Sequence, residues 1–458
     1  MDEISFGTDG WRATLDEFTA PRVRRVGQAV ASHLEETGHA GGTVAVGYDA
    51  REHSRGFAEE LARVLCVNGH DVLIPERDVP TPLVAWAVVD RELAGGCMIT
   101  ASHNPPEYNG VKFLPEDGAP ALPAVTESIE SHLAEPDPKP ESEWGRVLTV
   151  DLVEPHAAHA LDLIDVDLSG LTVAYDAMHG SGRGVTDTLL ERAGATVERV
   201  RCVADPSFGG TPPKPSLENL EPLARAMADV GADIAIANDG DADRLAVLTP
   251  ERGYLDENLF FAALYDHRVE ADSGPAVRTV STTFLIDRVA EAHGEAVVEV
   301  PVGFKWVAQA MADHDALVGG EESGGFTVRG HVREKDGVLM ALLAAAMEAE
   351  RATDDRIDAL LQAHGAVYQG KISIDCPDDR KAAVITTLAE SQPDSIAGEP
   401  IDSINDADGI KALLADGSWV LVRPSGTEPK LRVYAEAASD SRVDALLEAG
   451  RELVEPLV

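Results

Sequence analysis

The chain has 458 residues, 44% of them hydrophobic, and carries 38 Lys and Arg against 80 Asp and Glu, a formal net charge of −42. That length exceeds one ordinary core and fits three or four domains of ~100–150 residues each. The acidity argues against nucleic-acid binding, which needs a basic footprint, and the regular apolar content argues against disorder.

No apolar run approaches the ~18–20 residues of a membrane helix; the longest, Leu339 to Met347, is short and Ala-rich. The acidic start Met1-Asp2-Glu3-Ile4 does not resemble a secretory leader. The expectation is a cytoplasmic protein without membrane or nucleic-acid partners, a monomer or weak homodimer. Cys66, Cys97, Cys202 and Cys376 are scattered and suggest neither a zinc site nor a disulfide framework. An acidic surface of this kind suits concentrated salt, because at ~1 M the Debye length falls to ~3 Å and self-repulsion is screened. Lysines are few, and Lys112, Lys305 and Lys430 fall in the motif segments below.

In chain order, Val23, Val26, Val30 and Leu34 recur at helical spacing. A short strand follows at Thr43 to Gly47, then a helix carrying Phe57, Leu61, Val64 and Leu65, stopped by Asn68-Gly69. Asp71 to Ile74 and Gly96 to Thr100 read as buried strands. After the Pro- and acid-rich stretch 134–143 the alternation restarts, with strands at 171–175, 196–200, 233–237 and 245–248. A third block places strands at 276–280, 296–300 and 317–318, then a long helix over about 336–351. The last ~90 residues change pattern, with strands at 371–374, 418–422 and 431–435 and a closing helix from about Asp440. The predicted fold is three related α/β domains with mixed sheets (1–148, 149–250, 251–366) plus a smaller α+β domain (367–458). Ligands in such sheets bind at the carboxyl ends of strands, and Ser102 lies just past one.

Four segments could carry chemistry. In Thr100-Ala101-Ser102-His103-Asn104-Pro105-Pro106-Glu107-Tyr108-Asn109-Gly110-Val111-Lys112, two prolines stiffen the loop and Asn109-Gly110 suggests a tight turn. An ordinary polar loop reads equally well. A Ser–His hydrolase is disfavoured, because adjacent side chains usually point apart and no G-x-S-x-G elbow is present. In Asn238-Asp239-Gly240-Asp241-Ala242-Asp243-Arg244, three carboxylates at period two would converge on one hard cation; the alternative is a solvated acidic turn. An EF-hand is excluded by Arg244 and Pro250 at positions that require Gly and Glu. Gly320-Glu321-Glu322-Ser323-Gly324-Gly325 could hydrogen-bond vicinal hydroxyls or be a plain Gly-rich turn. Arg423-Pro424-Ser425-Gly426-Thr427-Glu428-Pro429-Lys430 would make a phosphate nest, or a capped loop between strands. Gly180-Ser181-Gly182-Arg183-Gly184-Val185 misses the dinucleotide pattern at Val185, and no P-loop occurs.

With Phe6-Gly7-Thr8-Asp9-Gly10-Trp11-Arg12, these segments in this order resemble the α-D-phosphohexomutase family over nearly the whole chain. The resemblance implies four domains around a central cleft, each giving one loop. It implies a phosphoserine at Ser102, Mg²⁺ held by Asp239, Asp241 and Asp243 with Ser102 as a further ligand, and sugar recognition by Glu321 and Ser323. Arg423, Ser425, Gly426 and Thr427 would hold the idle phosphate. Arg12, Lys112 and Arg244 match cationic positions, and Lys305, in Val302-Gly303-Phe304-Lys305, matches a substrate-contacting loop. The implied reaction interconverts hexose 1-phosphate and 6-phosphate through a hexose 1,6-bisphosphate. Lys112, with a pKa lowered by Arg12, is the first expectation for the general acid/base, and His103 the second. Many family members carry His where this chain has Gly325. The glucose or mannose type is expected, with glucosamine as the alternative. A Ser102-dependent metal phosphatase and a silent sugar-phosphate-binding protein are the readings from other classes.

Overall fold

The computed structural model describes residues 4–7, 9–426 and 428–458. Among them four sheets form, each with its own layer of helices. The first contains β1 (Trp11–Thr14), β2 (Val44–Tyr48), β3 (Val72–Pro75), β4 (Gly95–Ile99), β5 (Tyr108–Leu114) and β6 (Val147–Val150), in the order β1-β5-β4-β2-β3-β6. The second contains β7 (Thr172–Asp176), β8 (Thr196–Val200), β9 (Ile234–Asn238), β10 (Leu245–Thr249) and β11 (Gly253–Leu255), in the order β11-β10-β9-β7-β8. The third contains β12 (Ala276–Thr279), β13 (Val297–Val300), β14 (Val318–Glu321) and β15 (Gly325–Val328), in the order β13-β12-β14-β15.

These three sheets share one plan. Parallel strands run β3-β2-β4, β8-β7-β9 and β13-β12-β14, and each set is extended by an antiparallel strand, β5, β10 or β15. The turn from the last parallel strand into its antiparallel neighbour is the loop with Ser102, the loop with the three aspartates, or the loop from Glu321 to Gly324. Three unrelated-looking motifs therefore occupy one topological position, the carboxyl end of the equivalent strand.

One expectation fails here. Asn109-Gly110 is not a tight turn but part of β5, paired with both β4 and β1. Glycine is needed at 110 because a Cβ would lie 2.5 Å from the Thr100 carbonyl oxygen and 2.7 Å from that of Trp11.

The C-terminal sheet is antiparallel throughout. It contains β16 (Tyr368–Asp375), β17 (Ser395–Ile396), β18 (Glu399–Asn405), β19 (Ile410–Leu414), β20 (Trp419–Pro424) and β21 (Lys430–Ala437), in the order β16-β21-β20-β19-β18-β17. It packs on the helix Asp440–Val454.

The helix Gly337–Glu350 is buried at every position from Gly337 to Ala345, which explains its Ala/Leu composition. Asp336 caps it, accepting from the Val338 and Leu339 amides at 2.8 Å each. Around it one continuous apolar core joins the second and third domains and takes in the helix Thr81–Asp90 of the first. The first domain also keeps a core of its own. The C-terminal domain docks on the third through Trp419, Leu421 and Tyr434 against Val280 and Phe284.

Candidate active site

Ser102 stands three residues beyond β4 and is 1% exposed. Its φ of 51° lies in the left-handed region, a conformation non-glycine residues hold only when their surroundings impose it. The surroundings here are explicit. The Ser102 amide donates to Thr100 Oγ1 at 2.8 Å, and Thr100 Oγ1 donates to Asp49 Oδ2 at 2.7 Å. Arg51, whose side chain is fully buried, donates from Nε to Asp49 Oδ2 at 3.0 Å. Its remaining donors bind the carbonyls of Ser102 and Asn104 at 2.6 Å, Pro105 at 2.7 Å and Tyr108 at 3.1 Å. One guanidinium thus pins four carbonyls of the loop. The left-handed bend also abolishes the usual alternation of neighbouring side chains. His103 Nδ1 lies 3.2 Å from Ser102 Oγ, contrary to the expectation that the two diverge.

The aspartate loop leaves β9 and turns at Ala242, φ 52°. Asp239, Asp241 and Asp243 are each at most 1% exposed, and one oxygen from each lies within 4.8 Å of the others. Ser102 Oγ donates to Asp239 Oδ2 at 2.8 Å, so the first two motifs meet directly. Thr81, at the start of its helix, donates to Asp241 Oδ2 at 2.6 Å. Asp241 Oδ1 and Asp243 Oδ1 are buried without a hydrogen-bond partner among the described residues. Hard carboxylate oxygens, two of them uncommitted, beside a serine oxygen fit Mg²⁺ and offer none of the imidazole or thiolate that zinc prefers.

The charges explain the protonation states. Burial, then Asp243 and Asp241, push Asp239 well above the usual carboxylate range. Against the effect of burial, Lys112 and the Thr81 hydroxyl hold Asp241 at about 2. Lys112 Nζ lies 2.9 Å from Asp243 Oδ2, 3.0 Å from Asp9 Oδ2 and 3.1 Å from Asp241 Oδ2. Burial pulls its pKa down, but those three carboxylates and Glu334 outweigh it and hold the ammonium well above the ordinary lysine range. The expected lowering by Arg12 is therefore reversed. Arg12 is itself engaged, donating to Asn104 Oδ1 at 3.0 Å and Asp9 Oδ2 at 3.3 Å. His103 is shifted well below the ordinary value, first by Arg244, then by burial and Arg12, so its imidazole is neutral.

Arg244 is half-buried; its amide donates to Asp239 Oδ1 at 3.2 Å, and its Nε, 3.8 Å from Asp243 Oδ1, has no hydrogen-bond partner among the described residues. A further lysine enters that the sequence reading did not single out. Lys335 Nζ lies 2.9 Å from Glu334 Oε1, 3.5 Å from Asp243 Oδ2 and 3.9 Å from Asp9 Oδ2. Burial opposes its charge, but Asp9, Glu334 and Asp243 keep it protonated. Its stem fills the space above Gly325, where a Cβ would lie 2.4 Å from Lys335 Cδ. Asp9, Arg51, Glu334 and Lys335 were all missed. The available signals were an Asp-x-Arg after a buried strand and the rarity of lysine.

The third motif caps the β14–β15 hairpin. Glu321 Oε1 accepts from the Gly303 amide at 2.8 Å, and burial, then Glu322, raise its pKa. The Gly324 carbonyl accepts from Leu245 N at 2.9 Å, tying this loop to the aspartate domain. Ser323 is half-buried at the tip, and Lys305 is half-buried in the first turn of the helix Phe304–His314. In the fourth motif, Arg423 Nε donates to Asp408 Oδ2 at 2.9 Å, and the same oxygen accepts from Val302 N at 3.0 Å. Ser425 is buried and its Oγ accepts from the Glu428 amide at 3.2 Å; Gly426 is exposed. Thr427 lies outside the described residues. The four motifs are joined in series: first to second through Ser102–Asp239, second to third through Leu245–Gly324, third to fourth through Val302–Asp408.

Four family models, phosphoglucomutase/phosphomannomutase α/β/α domains I, II and III and the C-terminal domain, match residues 3–139, 134–253, 256–368 and 371–453. A Methanopyrus kandleri protein named "Probable phosphoglucosamine mutase" is 35% identical over 96% of this chain and 95% of its own length. A Thermococcus kodakarensis "Phosphoglucomutase/phosphomannomutase" is 32% identical over 98% of each chain, and a "Phosphopentomutase" of the same organism is 33% identical over 99% and 98%. The crystal structure of a "putative phosphomannomutase" from Thermus thermophilus superposes with a TM-score of 0.85 at 32% identity, covering 99% of both chains. With its four domains and joined loops, this chain belongs to the phosphoglucomutase/phosphomannomutase family of α-D-phosphohexomutases and is a phosphomutase, an isomerase that transfers phosphate intramolecularly.

Proposed function

We propose that this enzyme interconverts hexose 1-phosphate and hexose 6-phosphate through a phosphoserine at Ser102 and a hexose 1,6-bisphosphate, with glucose as its principal sugar and mannose as a second. The observation that carries this reading is the contact of Ser102 Oγ with Asp239 at 2.8 Å, inside a ring of buried carboxylates and lysines. Asp239, Asp241 and Asp243 would hold Mg²⁺, which supplies neutralisation of charge on phosphoryl oxygens.

Phosphoryl transfer depends on positioning and charge stabilisation. Lys112 and Lys335 are held protonated, so they act as fixed cations toward phosphoryl oxygens and do not take protons. His103 is the neutral nitrogen next to Ser102 Oγ. When the bisphosphate returns its other phosphate, Ser102 Oγ forms the new P–O bond, the bond from phosphorus to the sugar oxygen breaks, the Oγ proton passes to His103 Nδ1, and the departing sugar oxygen takes a proton from water to become the hydroxyl. In the opposite direction the attacking sugar hydroxyl gives its proton to water, and the imidazolium returns its proton to the departing serine oxygen. His103 thus replaces Lys112 as the first choice of base on the serine side. Glu321 and Ser323 would bind the sugar hydroxyls; Arg423, Ser425, Gly426 and Thr427 would hold the phosphate that is not reacting.

Glucosamine phosphate is the second reading, supported by the relatives named as phosphoglucosamine mutases. The test is one panel of glucose, mannose, glucosamine and ribose phosphates with Mg²⁺, molar KCl and a trace of the matching bisphosphate. Fastest turnover is expected on glucose phosphates. Conversion of no hexose phosphate overturns the proposal, and release of inorganic phosphate exceeding isomerisation replaces it with a phosphatase.

A further inference from the structure

Between β13 and the helix Phe304–His314, three consecutive residues each touch a different part of the site. The Val302 amide donates to Asp408 Oδ2 at 3.0 Å, and the next amide, Gly303, donates to Glu321 Oε1 at 2.8 Å. The Phe304 ring follows, with Lys335 Nζ 5.1 Å from its centroid. Gly303 has φ 125°, a region that favours glycine, and the bend there lets neighbouring amides serve two domains.

The Asp408 side of this chain of contacts is fixed as firmly. Asp408 Oδ2 also accepts from Arg423 Nε at 2.9 Å. The Arg423 guanidinium makes no other hydrogen bond among the described residues, so its two Nη groups remain for a phosphate. Gly409 comes next at φ 94°, where a Cβ would lie 2.3 Å from the Val422 carbonyl oxygen and 2.8 Å from Arg423 Cα. The loop therefore lies directly against the strand that carries Arg423. On either side of it, Asn405 Nδ2 and Lys411 Nζ donate to Glu299 of β13, the lysine at 2.7 Å. Between Arg423 and Glu321 stand only the Asp408 carboxylate and one residue of backbone, at most ~3.6 Å long.

We infer that Asp408 is a positioning residue that fixes the separation between the phosphate grip at Arg423 and the sugar grip at Glu321, and so selects hexose phosphates over pentose phosphates. This inference rests on the mutase reading and deepens it. A pentose phosphate has one carbon fewer between its anomeric centre and its phosphate, a difference of about 1.5 Å. A misplacement of ~1 Å can cost ~10²-fold in rate, so a fixed separation discriminates where a loose one does not. Asp408 is no phosphate ligand itself, because its carboxylate repels an anion; it acts through Arg423 and Val302.

The test measures kcat and KM of the full-length enzyme for glucose 1-phosphate and ribose 1-phosphate, each with a trace of the matching bisphosphate. The variants are Asp408→Ala and Asp408→Asn. The amide oxygen of the Asn variant can accept both bonds that Asp408 Oδ2 accepts, whereas the Ala variant accepts neither. In Asp408→Ala the ratio of kcat/KM for glucose over ribose phosphate is expected to fall at least tenfold with unchanged circular dichroism, mainly through a higher KM for glucose phosphate. Asp408→Asn should restore most of that ratio. Glu321→Ala should lower the ratio in the wild-type background and lower it no further in Asp408→Ala, because one spacer has two ends. An unchanged ratio or a lost fold in Asp408→Ala, no recovery in Asp408→Asn, or independent losses in the double variant overturn the inference. A wild type that turns over both sugar phosphates alike overturns it as well and leaves the mutase reading standing. A wild type that isomerises no hexose phosphate removes the mutase reading and the spacer with it.

Discussion

The Ser102–aspartate end and the C-terminal end of the joined motifs are built on different principles. Around Ser102 and the aspartates the side chains are buried, and the cations Lys112 and Lys335 touch carboxylates fixed by other bonds. Around the C-terminal motif Gly426 and Lys371 are exposed, and the domain meets its neighbour through a small apolar contact and polar links that include Asp408–Val302, Lys411–Glu299, Gln369–Asn258 and Glu436–Phe284 N. Bond-making requires a site that does not reorganise as charge moves, whereas a ligand that binds in two orientations requires a wall that can give. The contrast teaches that burial is concentrated on the half that makes and breaks bonds, while the C-terminal motif stays open to solvent.

Breaking the rigid half should cost most. Ser102→Ala is expected to lower isomerisation by at least ~10³-fold with unchanged circular dichroism; comparable turnover would remove the covalent route. Lys335→Met should lower kcat by ~10²-fold through loss of a fixed cation, read by steady-state kinetics. If it has wild-type kcat, the rigid half ends at Lys112. Arg51→Met leaves Asp49 buried without its partner and four loop carbonyls without a donor. It should destabilise by about 3–5 kcal/mol, measured by denaturant unfolding. On the yielding side Trp419→Ala, at the domain contact, should raise KM several-fold and change kcat less.

The smallest effect concerns pH and a cluster that ties the first three domains together. His156 and His331 both donate to Asp336 Oδ2, at 2.6 and 2.8 Å, and His159 lies 3.1 Å from His331 and stacks on Trp86. Burial, then the neighbouring histidines, lower His159 to about 4, and burial also lowers His331. A histidine depressed in the folded state binds fewer protons there than in the unfolded chain. Stability is therefore complete above about pH 6.5 and falls as pH drops toward 4. His159→Phe should flatten that slope in thermal unfolding; an unaltered slope would assign it elsewhere.

Much of this organisation is legible in the residues. The aspartate run, the Ser102 segment and the Glu321 turn are local patterns at strand ends, and the strand at 196–200 and the helix start at Asp440 match the observed elements. What escaped is non-local. Asn109-Gly110 reads as a turn by local chemistry, but β5 is decided by close approach to Thr100 and Trp11, which no short window contains. The C-terminal strands β18 and β19 lack the two-residue alternation that marks a strand, because β18 is exposed or half-buried throughout and β19 is buried at four of its five positions. Lys335 enters the site from beyond the third motif, and its charge state depends on Asp9, more than 300 residues earlier. The reversal for Lys112 has the same origin: Arg12 and the carboxylates of Asp9, Asp241, Asp243 and Glu334 all reach it only by folding, and their balance is written in no single segment.

The stem of Lys335 lying over Gly325 has a consequence for exchange between relatives. Any side chain at 325 would demand the volume this chain gives to an aliphatic tether, since its Cβ would lie 2.4 Å from Lys335 Cδ and 2.8 Å from Lys335 Cγ. Positions 325 and 335 share a single compartment, so grafting experiments that bring a side chain to 325 should change 335 with it.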